Sequence, residues 1–374
     1  MISGYVTAEG TKRFRQRAEA SGVERNHFRE FKSLHLTSLG LGTYLGELDR
    51  STDARVEEAL KNSVLSGAIN VIDTAINYRL QKAERSIGRA LDELIKEERI
   101  QRDELLICTK SGYLSPDGDS NLDLQSYVMQ NLMKPGTIHP KDIVQGVHCM
   151  TRPYLKDQLE RSLRNLSLDC IDLIYLHNAA ESQIAEVGRE EFLNRLREAF
   201  AFYEEQRTEG RIKWYGMATW TCFRVDETKQ DHVNLEQVVD IARSVGGNDH
   251  AFRFIQLPFN LEMDEARTLK AQTIMDERMS ILEAAHRLGV GVFTSVPLLQ
   301  GRILHLPSLP RRENMESPAR TCLQFARSAH PSIIAPLVGQ KQSAHTKENL
   351  LLAKYPPLTE EEFDETFTAE KGEG

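Results

Sequence analysis

Four polar side chains follow apolar, strand-like runs, and together they could move a proton. Asp73 ends the run NVID, Tyr78 follows it in a loop, Lys110 ends LLICTK, and His177 ends CIDLIYLH. A buried carboxylate is costly unless a cation pairs with it, so Asp73 needs a partner such as Lys110. The paired ammonium would stay charged and favour ionisation of a neighbouring phenol. These residue types therefore predict a site at which Tyr78 gives a proton to an oxygen.

The size of this effect can be gauged from Coulomb's law. A charge about 4 Å away is worth roughly 4 kcal/mol at an effective dielectric near 20, or about three pKa units. We therefore predict that Lys110 lowers the pKa of Tyr78 towards neutrality, where the phenol is a usable acid. His177 is predicted to donate a hydrogen bond to a carbonyl oxygen. Taken singly, each residue also fits a structural role as a cap, loop anchor, surface lysine or core histidine; their joint occurrence at strand ends favours the chemistry.

A repeated strand–helix pattern would position these residues. Apolar runs alternate eight times with stretches of helical spacing, and the runs begin near Leu36, Asn70, Leu105, Cys170, Ile212, Phe252, Val290 and Ser332. Eight such units predict an α/β fold, a (β/α)8 TIM barrel, in a single domain. The competing dinucleotide-binding fold lacks its fingerprint, because Gly40, Gly42 and Gly46 miss the GxGxxG spacing by one position.

Three segments lie outside the regular repeat. We expect an N-terminal extension at 1–33, the barrel at 34–355 and an acidic C-terminal tail at 356–374 that frays. A long insertion at 111–150, after the third strand, is rich in Pro, Gly and Asp turns. Long ordered loops on barrels are often functional, so this one is either a substrate cap or a decoration packed on the side of the barrel.

Composition narrows the class of partner. The net charge of −8 offers no basic stripe for nucleic acid, and no apolar run is long enough to cross a bilayer, so we expect no nucleic acid, no membrane and a small-molecule substrate. Five scattered cysteines without a CxxC pair predict reduced thiols, no metal site and a cytoplasmic location. The basic start of the chain also fits a targeting segment, and the sequence allows a homo-oligomer.

The motifs around the four polar residues resemble those of the aldo-keto reductase family over most of the chain. The family signature DTAxxY reads Asp73, Thr74, Ala75 and Tyr78 here, followed by AERSIGRAL. Lys110 in CTKSG and His177 in IDLIYLHN match the two remaining positions of the family's tetrad. The resemblance implies that Asp73, Tyr78, Lys110 and His177 are the catalytic residues.

The same resemblance implies NADP(H) bound in an extended pose across the mouth of the barrel. The segments that match the family's cofactor-binding segments are GLGTY, YGMAT, FIQLPFN, PLLQGRI and LVGQKQSAHTKENL. The implied cofactor-binding residues are Gly42, Thr43, Tyr44, Asn178, Thr219, Gln256, Pro297, Leu298, Gln300, Gly301, Gly339, Lys341, His345, Glu348 and Asn349. Gln256 and Thr219 would hold the carboxamide, and Leu298 and Gly301 would lie near the pyrophosphate. Lys341, His345, Glu348 and Asn349 would lie near the adenosine end. Ala218 and Ser295 depart from the serine and the aromatic residue that many members have beside the nicotinamide.

The sequence thus predicts an NADPH-dependent oxidoreductase that acts on an aldehyde, a ketone or a sugar, or on an alcohol in the reverse direction. Lys341, with help from His345, would favour NADPH over NADH by contacting the 2′-phosphate. An alternative is a cofactor-sensing regulatory subunit that resembles the β-subunits of potassium channels, because the tetrad persists in those proteins. A barrel that binds no nicotinamide cofactor is a third interpretation.

Overall fold

The computed structural model describes residues 1–306, 309–310, 312 and 315–368. Its strands are β1 (Phe28–Phe31), β2 (Leu34–Thr37), β3 (Gly40–Gly42), β4 (Val71–Asp73), β5 (Leu106–Ser111), β6 (Ile171–His177), β7 (Ile212–Ala218), β8 (Phe252–Pro258), β9 (Gln272–Ile274), β10 (Glu277–Met279), β11 (Gly291–Ser295) and β12 (Ile333–Gly339). Seven of the predicted strand starts lie within one residue of the observed barrel strands. The exception is the first strand.

Eight parallel strands close into a barrel in the order β11, β12, β3, β4, β5, β6, β7, β8. This confirms the predicted (β/α)8 fold. The strand register aligns Asp73 with Gly42 and Cys108, and it aligns His177 with Ala218. Because the carboxyl ends of parallel strands meet at one rim, the polar residues that end these strands converge there.

Helices surround the barrel and pack on its outer face. They are α1 (Ala8–Ala20), α2 (Arg50–Leu65), α3 (Lys82–Lys96), α4 (Leu124–Val128), α5 (Arg152–Leu166), α6 (Ala179–Val187), α7 (Arg189–Thr208), α8 (Leu235–Gly246), α9 (Glu265–Thr268), α10 (Ile281–Arg287), α11 (Pro318–Ser328), α12 (Ser343–Leu350) and α13 (Glu360–Phe367). Local sequence fixes several of their starts. The Asp49 carboxylate accepts the N–H of Thr52 at the start of α2, and Ser317 caps α11 just before Pro318.

An antiparallel hairpin of β1 and β2 closes the amino-terminal end of the barrel. Its Leu34 and Leu36 pack inside the barrel with Val71 and Leu106, which begin their strands. The predicted first barrel strand near Leu36 is therefore wrong, because that run is β2 and the barrel strand begins at Gly40. Both short strands lie in one continuous apolar run, LHLTSLGLG, so apolar patterning alone could not separate them.

The main apolar core lies between the strands and the surrounding helices. Close packing there depends on Gly88 in α3, where an added Cβ would lie 2.4 Å from the Asn165 carbonyl oxygen on α5. All five cysteines are buried, and none is paired in a disulfide. Among the described residues, no helix combines the length and the apolarity that a bilayer crossing needs.

The insertion at 111–150 has a small core of its own. Leu114, Val128, Leu132, Ile138 and Cys149 cluster there with Tyr154 of α5. Ion pairs from Lys82 and Arg85 of α3 to Asp119 fasten the outer part of the insertion to the barrel wall. Most of the insertion therefore packs on the side of the barrel, and its two ends, at Tyr113 and His148, approach the mouth.

The acidic segment after the barrel is more ordered than predicted. Residues Glu360–Phe367 form α13, and the ring of Phe363 lies 5.3 Å from that of Phe325 on α11. The prediction of a frayed tail is wrong for these residues, because two phenylalanines spaced four apart on α13 both contact Phe325. Residues 369–374 of the same predicted tail lie outside the described residues.

Candidate active site

The four residues predicted to be catalytic lie together at the carboxyl rim of the barrel. Asp73 is the last residue of β4, Lys110 is the penultimate residue of β5, and His177 is the last residue of β6. Tyr78 follows β4 in a loop whose turn is closed by a hydrogen bond from its N–H to the Ala75 carbonyl, 3.0 Å long. Asp73, Tyr78 and His177 line one cleft, and Lys110 is buried behind them.

Asp73 and Lys110 form a buried ion pair. The Lys110 ammonium donates to Asp73 Oδ2 at 2.6 Å and to the Thr74 carbonyl at 2.8 Å, while Gln256 Nε2 donates to Asp73 Oδ1 at 2.9 Å. Burial raises the pKa of Asp73, and the ammonium and the Gln256 amide oppose this change. Burial lowers the pKa of Lys110, but Asp73 and Tyr78 together more than offset it and the net change is upward, so the ammonium stays charged.

The Lys110 ammonium lies 4.7 Å from the centroid of the Tyr78 ring. Removal from water nevertheless raises the pKa of Tyr78, and the attraction of Lys110 only partly offsets this. The prediction that Lys110 brings this pKa close to neutrality is therefore wrong for the described chain. The physical reason is that Asp73 already neutralises much of the ammonium's charge. The attraction of Lys110 therefore lowers the pKa of Tyr78 by less than the loss of hydration raises it. Tyr78 is thus held as a protonated donor.

His177 faces the same space from the next strand. Its ring meets the Tyr78 ring edge-on at 5.9 Å, and Nδ1 is buried with no hydrogen-bond partner among the described residues. Burial and the nearby positive charge of Lys110 hold the pKa of His177 well below its usual range. A neutral imidazole can donate one hydrogen bond, which suits the orientation of a carbonyl oxygen.

A cleft of about 640 Å³ extends from these residues across the mouth of the barrel. Most of the residues predicted to bind cofactor line it, namely Gly42, Thr43, Tyr44, Asn178, Thr219, Gln256, Pro297, Leu298, Gln300, Gly301, Gly339, Lys341 and His345. Glu348 and Asn349 do not line it. Asn349 is buried, and its amide donates to Gln340 Oε1 at 3.1 Å, so it supports the loop from behind.

The loop after β11 crosses the cleft in an uncommon backbone conformation. Val296, Leu299, Gln300 and Gly301 have φ angles of 48°, 45°, 56° and 89°. A positive φ is costly for a β-branched residue such as Val296, and Asn260 Nδ2 holds the Val296 carbonyl at 3.1 Å. Backbone strain of this kind clusters at ligand sites, where the surrounding structure enforces it.

A model of the Aldo/keto reductase family matches residues 38–244, more than half of the chain. The chain belongs to the aldo/keto reductase family. The match includes all four residues of the buried proton site. Solved structures agree on the fold of this aldo/keto reductase: an aldo/keto reductase from Klebsiella pneumoniae in complex with NADP and acetate superposes with a TM-score of 0.58 at 18% identity, covering 91% of this chain and 95% of that one.

Two curated proteins match shorter stretches of this aldo/keto reductase. Aldo-keto reductase AMT2 of Alternaria alternata is 31% identical over 142 residues, which are 36% of each chain. D-threo-aldose 1-dehydrogenase of a Pseudomonas species is 27% identical over 191 residues, which are 50% of this chain and 51% of that protein. The matched regions thus span about a third of the length of one of these curated relatives and about half of the other.

One residue of the site was missed from the sequence because its role depends on backbone geometry. Arg79, directly after Tyr78, is only 6% exposed and has a φ of 51°. Its guanidinium pairs with Asp53 of α2 and donates to the Glu47 carbonyl at 2.9 Å. Arg79 therefore ties the Tyr78 turn to the loop that follows β3. The signal available in the sequence was an arginine directly after the tyrosine of the DTAxxY motif.

Two aromatic residues at the mouth of the barrel were also missed. Tyr113, at the start of the insertion, meets the His177 ring edge-on at 5.1 Å. Trp220 follows β7, lines the cleft and is 44% exposed. Together with Tyr44 they supply aromatic surface in the same cleft that Ala218 and Ser295 line.

Proposed function

We propose that this chain is an NADP(H)-dependent oxidoreductase that interconverts a carbonyl compound and an alcohol, with Tyr78 as the proton donor. The observation that carries the proposal is the buried Asp73–Lys110 pair set against Tyr78, with neutral His177 beside it in one cleft. Among the described residues, no other lysine ammonium lies over a tyrosine ring at the carboxyl rim of the barrel. The substrate is a small molecule.

Two features of the cleft support a nicotinamide dinucleotide as the cofactor. Near the proton site, Asn77 lines the cleft, and its Oδ1 is buried without a partner among the described residues. At the far end, Lys341 and His345 line the cleft, and neither forms an ion pair with any described residue. Unpaired cationic or basic side chains at that end suit a phosphate monoester, so we assign NADPH rather than NADH.

The chain's residues divide the reaction between them. The bound nicotinamide supplies or accepts the hydride. His177 donates a hydrogen bond to the carbonyl oxygen and fixes its position beside the Tyr78 hydroxyl. Tyr78 transfers its proton to that oxygen as the carbonyl carbon takes up the hydride, and Lys110 stabilises the phenolate that remains. In the reverse direction, the Tyr78 phenolate takes the proton of the alcohol.

The test is turnover of a substrate panel with NADPH and NADH. Aldehydes, ketoses, aldoses and lactols belong in the panel, and the relative that is an aldose dehydrogenase makes aldoses and lactols the first choice. We expect many molecules of NADPH to be oxidised, or of NADP to be reduced, per molecule of protein. Oxidation of a single bound cofactor, followed by its retention, would contradict the proposal and favour the cofactor-sensing subunit.

A further inference from the structure

A second pocket adjoins the catalytic cleft. It is a depression of about 450 Å³ that opens to solvent, and its lining includes Tyr113, Asn178, Glu181, Ala185, Trp220 and Asp231. Three of these residues, Tyr113, Asn178 and Trp220, also line the cleft itself. They therefore form the wall between the two spaces.

Tyr113 is the part of this wall nearest to the proton site. Its ring lies edge-on to His177 with 5.1 Å between the centroids, and its hydroxyl accepts a hydrogen bond from Asn178 Nδ2 at 3.1 Å. Asn178 is itself fixed, because its N–H donates to the Ala218 carbonyl at 2.7 Å. The Tyr113 side chain is thus held in a fixed position between His177 and the second pocket.

Helix α5 and the far end of the insertion hold Tyr113 in place. The Tyr113 carbonyl accepts hydrogen bonds from the Tyr154 hydroxyl and from Gln158 Nε2, each at 2.8 Å. At the far end of the insertion, His148 packs edge-on against the Tyr113 ring at 5.3 Å. An added Cβ at Gly112, whose φ is 125°, would lie 2.5 Å from His148 Nε2, so this close approach requires glycine.

His148 also joins the insertion to the catalytic strand. Its Nε2 donates to the His177 carbonyl at 3.0 Å, and its Nδ1 accepts from Gln183 Nε2 at 2.9 Å. The Gln183 carbonyl oxygen accepts in turn from Arg195 at 2.9 Å. A ring hydrogen-bonded on both sides cannot swing away, so Tyr113 has a rigid support between the insertion and β6.

We propose that Tyr113 is a specificity-determining residue that separates the catalytic cleft from the second pocket and confines the substrate to short carbonyl compounds. This inference rests on the proposed function, because the excluded group is the substituent of the reacting carbonyl. The insertion then has a definite role, which is to present Tyr113 beside His177. Without the ring, a larger substituent extends past His177 into the second pocket.

The second pocket is itself rigid and suits a neutral aromatic substituent. Glu181 Oε1 accepts the N–H groups of Trp220 and Thr221, both at 2.7 Å, and that of Cys222 at 3.0 Å, which fixes the loop that carries the Trp220 ring. The Asp231 carboxylate accepts the Thr221 hydroxyl. Two carboxylates with no cation paired to them among the described residues repel an anionic group, so neutral probes are the right choice.

The kinetic test compares a small and a bulky neutral aldehyde, propanal and 2-naphthaldehyde, with NADPH. Tyr113→Ala should raise the ratio of kcat/KM for 2-naphthaldehyde over propanal by at least about tenfold, the scale at which pocket size discriminates substrates. Tyr113→Leu should give a smaller rise, and Tyr113→Phe, which keeps the ring, should leave the ratio within about twofold. An unchanged ratio in folded Tyr113→Ala or Tyr113→Leu would overturn the proposal.

Filling the second pocket gives a matched control. Ala185 lines that pocket but not the cleft, and it is exposed on α6. Ala185→Phe should leave the wild-type ratio unchanged but should reverse the gain of Tyr113→Ala when the two are combined. If the gain persists in the double variant, the bulky group does not enter the second pocket and the proposal fails. Tyr5→Ala, which removes an exposed ring of the N-terminal segment, should change neither substrate.

A binding measurement separates this inference from the proposed function. The chain has two tryptophans, so in a Trp214→Phe background the fluorescence of Trp220 reports on both spaces. Tyr113→Ala in that background should bind 2-naphthaldehyde at least about tenfold more tightly, whether or not the chain turns over any aldehyde. Equal affinity for 2-naphthaldehyde in Trp214→Phe and in Trp214→Phe/Tyr113→Ala would overturn the proposal that Tyr113 separates the two spaces. Tighter binding without turnover would support the partition and contradict the proposed reaction.

Discussion

The two ends of the cleft are built in opposite ways. At the proton site, Lys110 and Asp73 are buried, and the donors of Lys110 and Gln256 are directed at Asp73. At the far end, Lys341 is partly exposed and His345 is exposed, and neither has an ionic partner among the described residues. At one end the charges are paired within the protein itself, whereas at the other end no described residue pairs with them.

This difference suggests that the two ends have different roles: the proton site carries out the reaction, and the far end binds the cofactor. A buried network holds its geometry and charges without a ligand, so the proton site is preorganised by folding. An exposed cation gains little from the protein and more from a phosphate that approaches it. Damage to the first end should therefore affect turnover and folding, while damage to the second should affect only the affinity for one cofactor.

The largest expected effect comes from Lys110→Met. Loss of the ammonium removes the charge that stabilises the Tyr78 phenolate, so turnover should fall by about 10²–10⁴-fold. It also leaves Asp73 buried without its cation, which should cost about 3–5 kcal/mol in the free energy of unfolding. Kinetics of the folded variant and chemical denaturation measure the two effects separately.

A double variant sharpens this prediction. Lys110→Met combined with Asp73→Asn removes both charges, so stability should recover while turnover stays low. Recovery of turnover together with stability would show that Lys110 has only a structural role.

Much of the proton site was predictable because its residues end strands. Asp73, Lys110 and His177 each close an apolar run, and a parallel barrel brings such ends together, so their proximity followed from the fold. The pKa of Tyr78 was not predictable in the same way. Its direction depends on how far the ring is removed from water, and that is set by the surrounding loops rather than by the motif.

The residues missed at the mouth of the barrel lie in loops, where the sequence has no helical or strand periodicity of apolar residues. Tyr113 contacts His148, which is 35 residues away along the chain. Arg79, in a turn of left-handed residues, pairs with Asp53 of α2. Neither contact leaves a pattern in the sequence. The hairpin strand β2 was missed for a different reason, because it merges with β3 in one apolar run.

At the exposed end of the cleft, Lys341→Ala should change only the choice of cofactor. One charge-assisted contact is worth about 1.5–3 kcal/mol, so the wild type should prefer NADPH over NADH by roughly 10- to 150-fold. The alanine variant should lose most of this preference through weaker NADPH binding, with the dissociation constant for NADH nearly unchanged. Lys347→Ala, an exposed lysine of α12 outside the cleft, is the control. Equal weakening of both cofactors would show that Lys341 does not contact the 2′-phosphate.

A further expected effect concerns stability in acid. Burial lowers the pKa of His148 to about 4 from its usual 6.5. Between these two pH values His148 binds a proton in the unfolded chain but not in the folded chain. The free energy of unfolding should therefore fall as the pH drops from 6.5 to 4. The contribution of this residue is up to about 3 kcal/mol. His148→Gln should reduce the slope of unfolding free energy against pH in that window. His139→Gln, on the exposed surface of the same insertion, should leave it unchanged.

The central claim is that Tyr78 is the proton donor of a hydride-transfer reaction, and Tyr78→Phe tests it most directly. The variant keeps the ring beside Lys110 and His177 but removes the hydroxyl. Single-turnover oxidation of bound NADPH by an aldehyde should slow by at least about 10²-fold, while the dissociation constant of NADPH, measured on the same preparation, stays unchanged. Oxidation at the wild-type rate would contradict the account, because the proton would then come from another group.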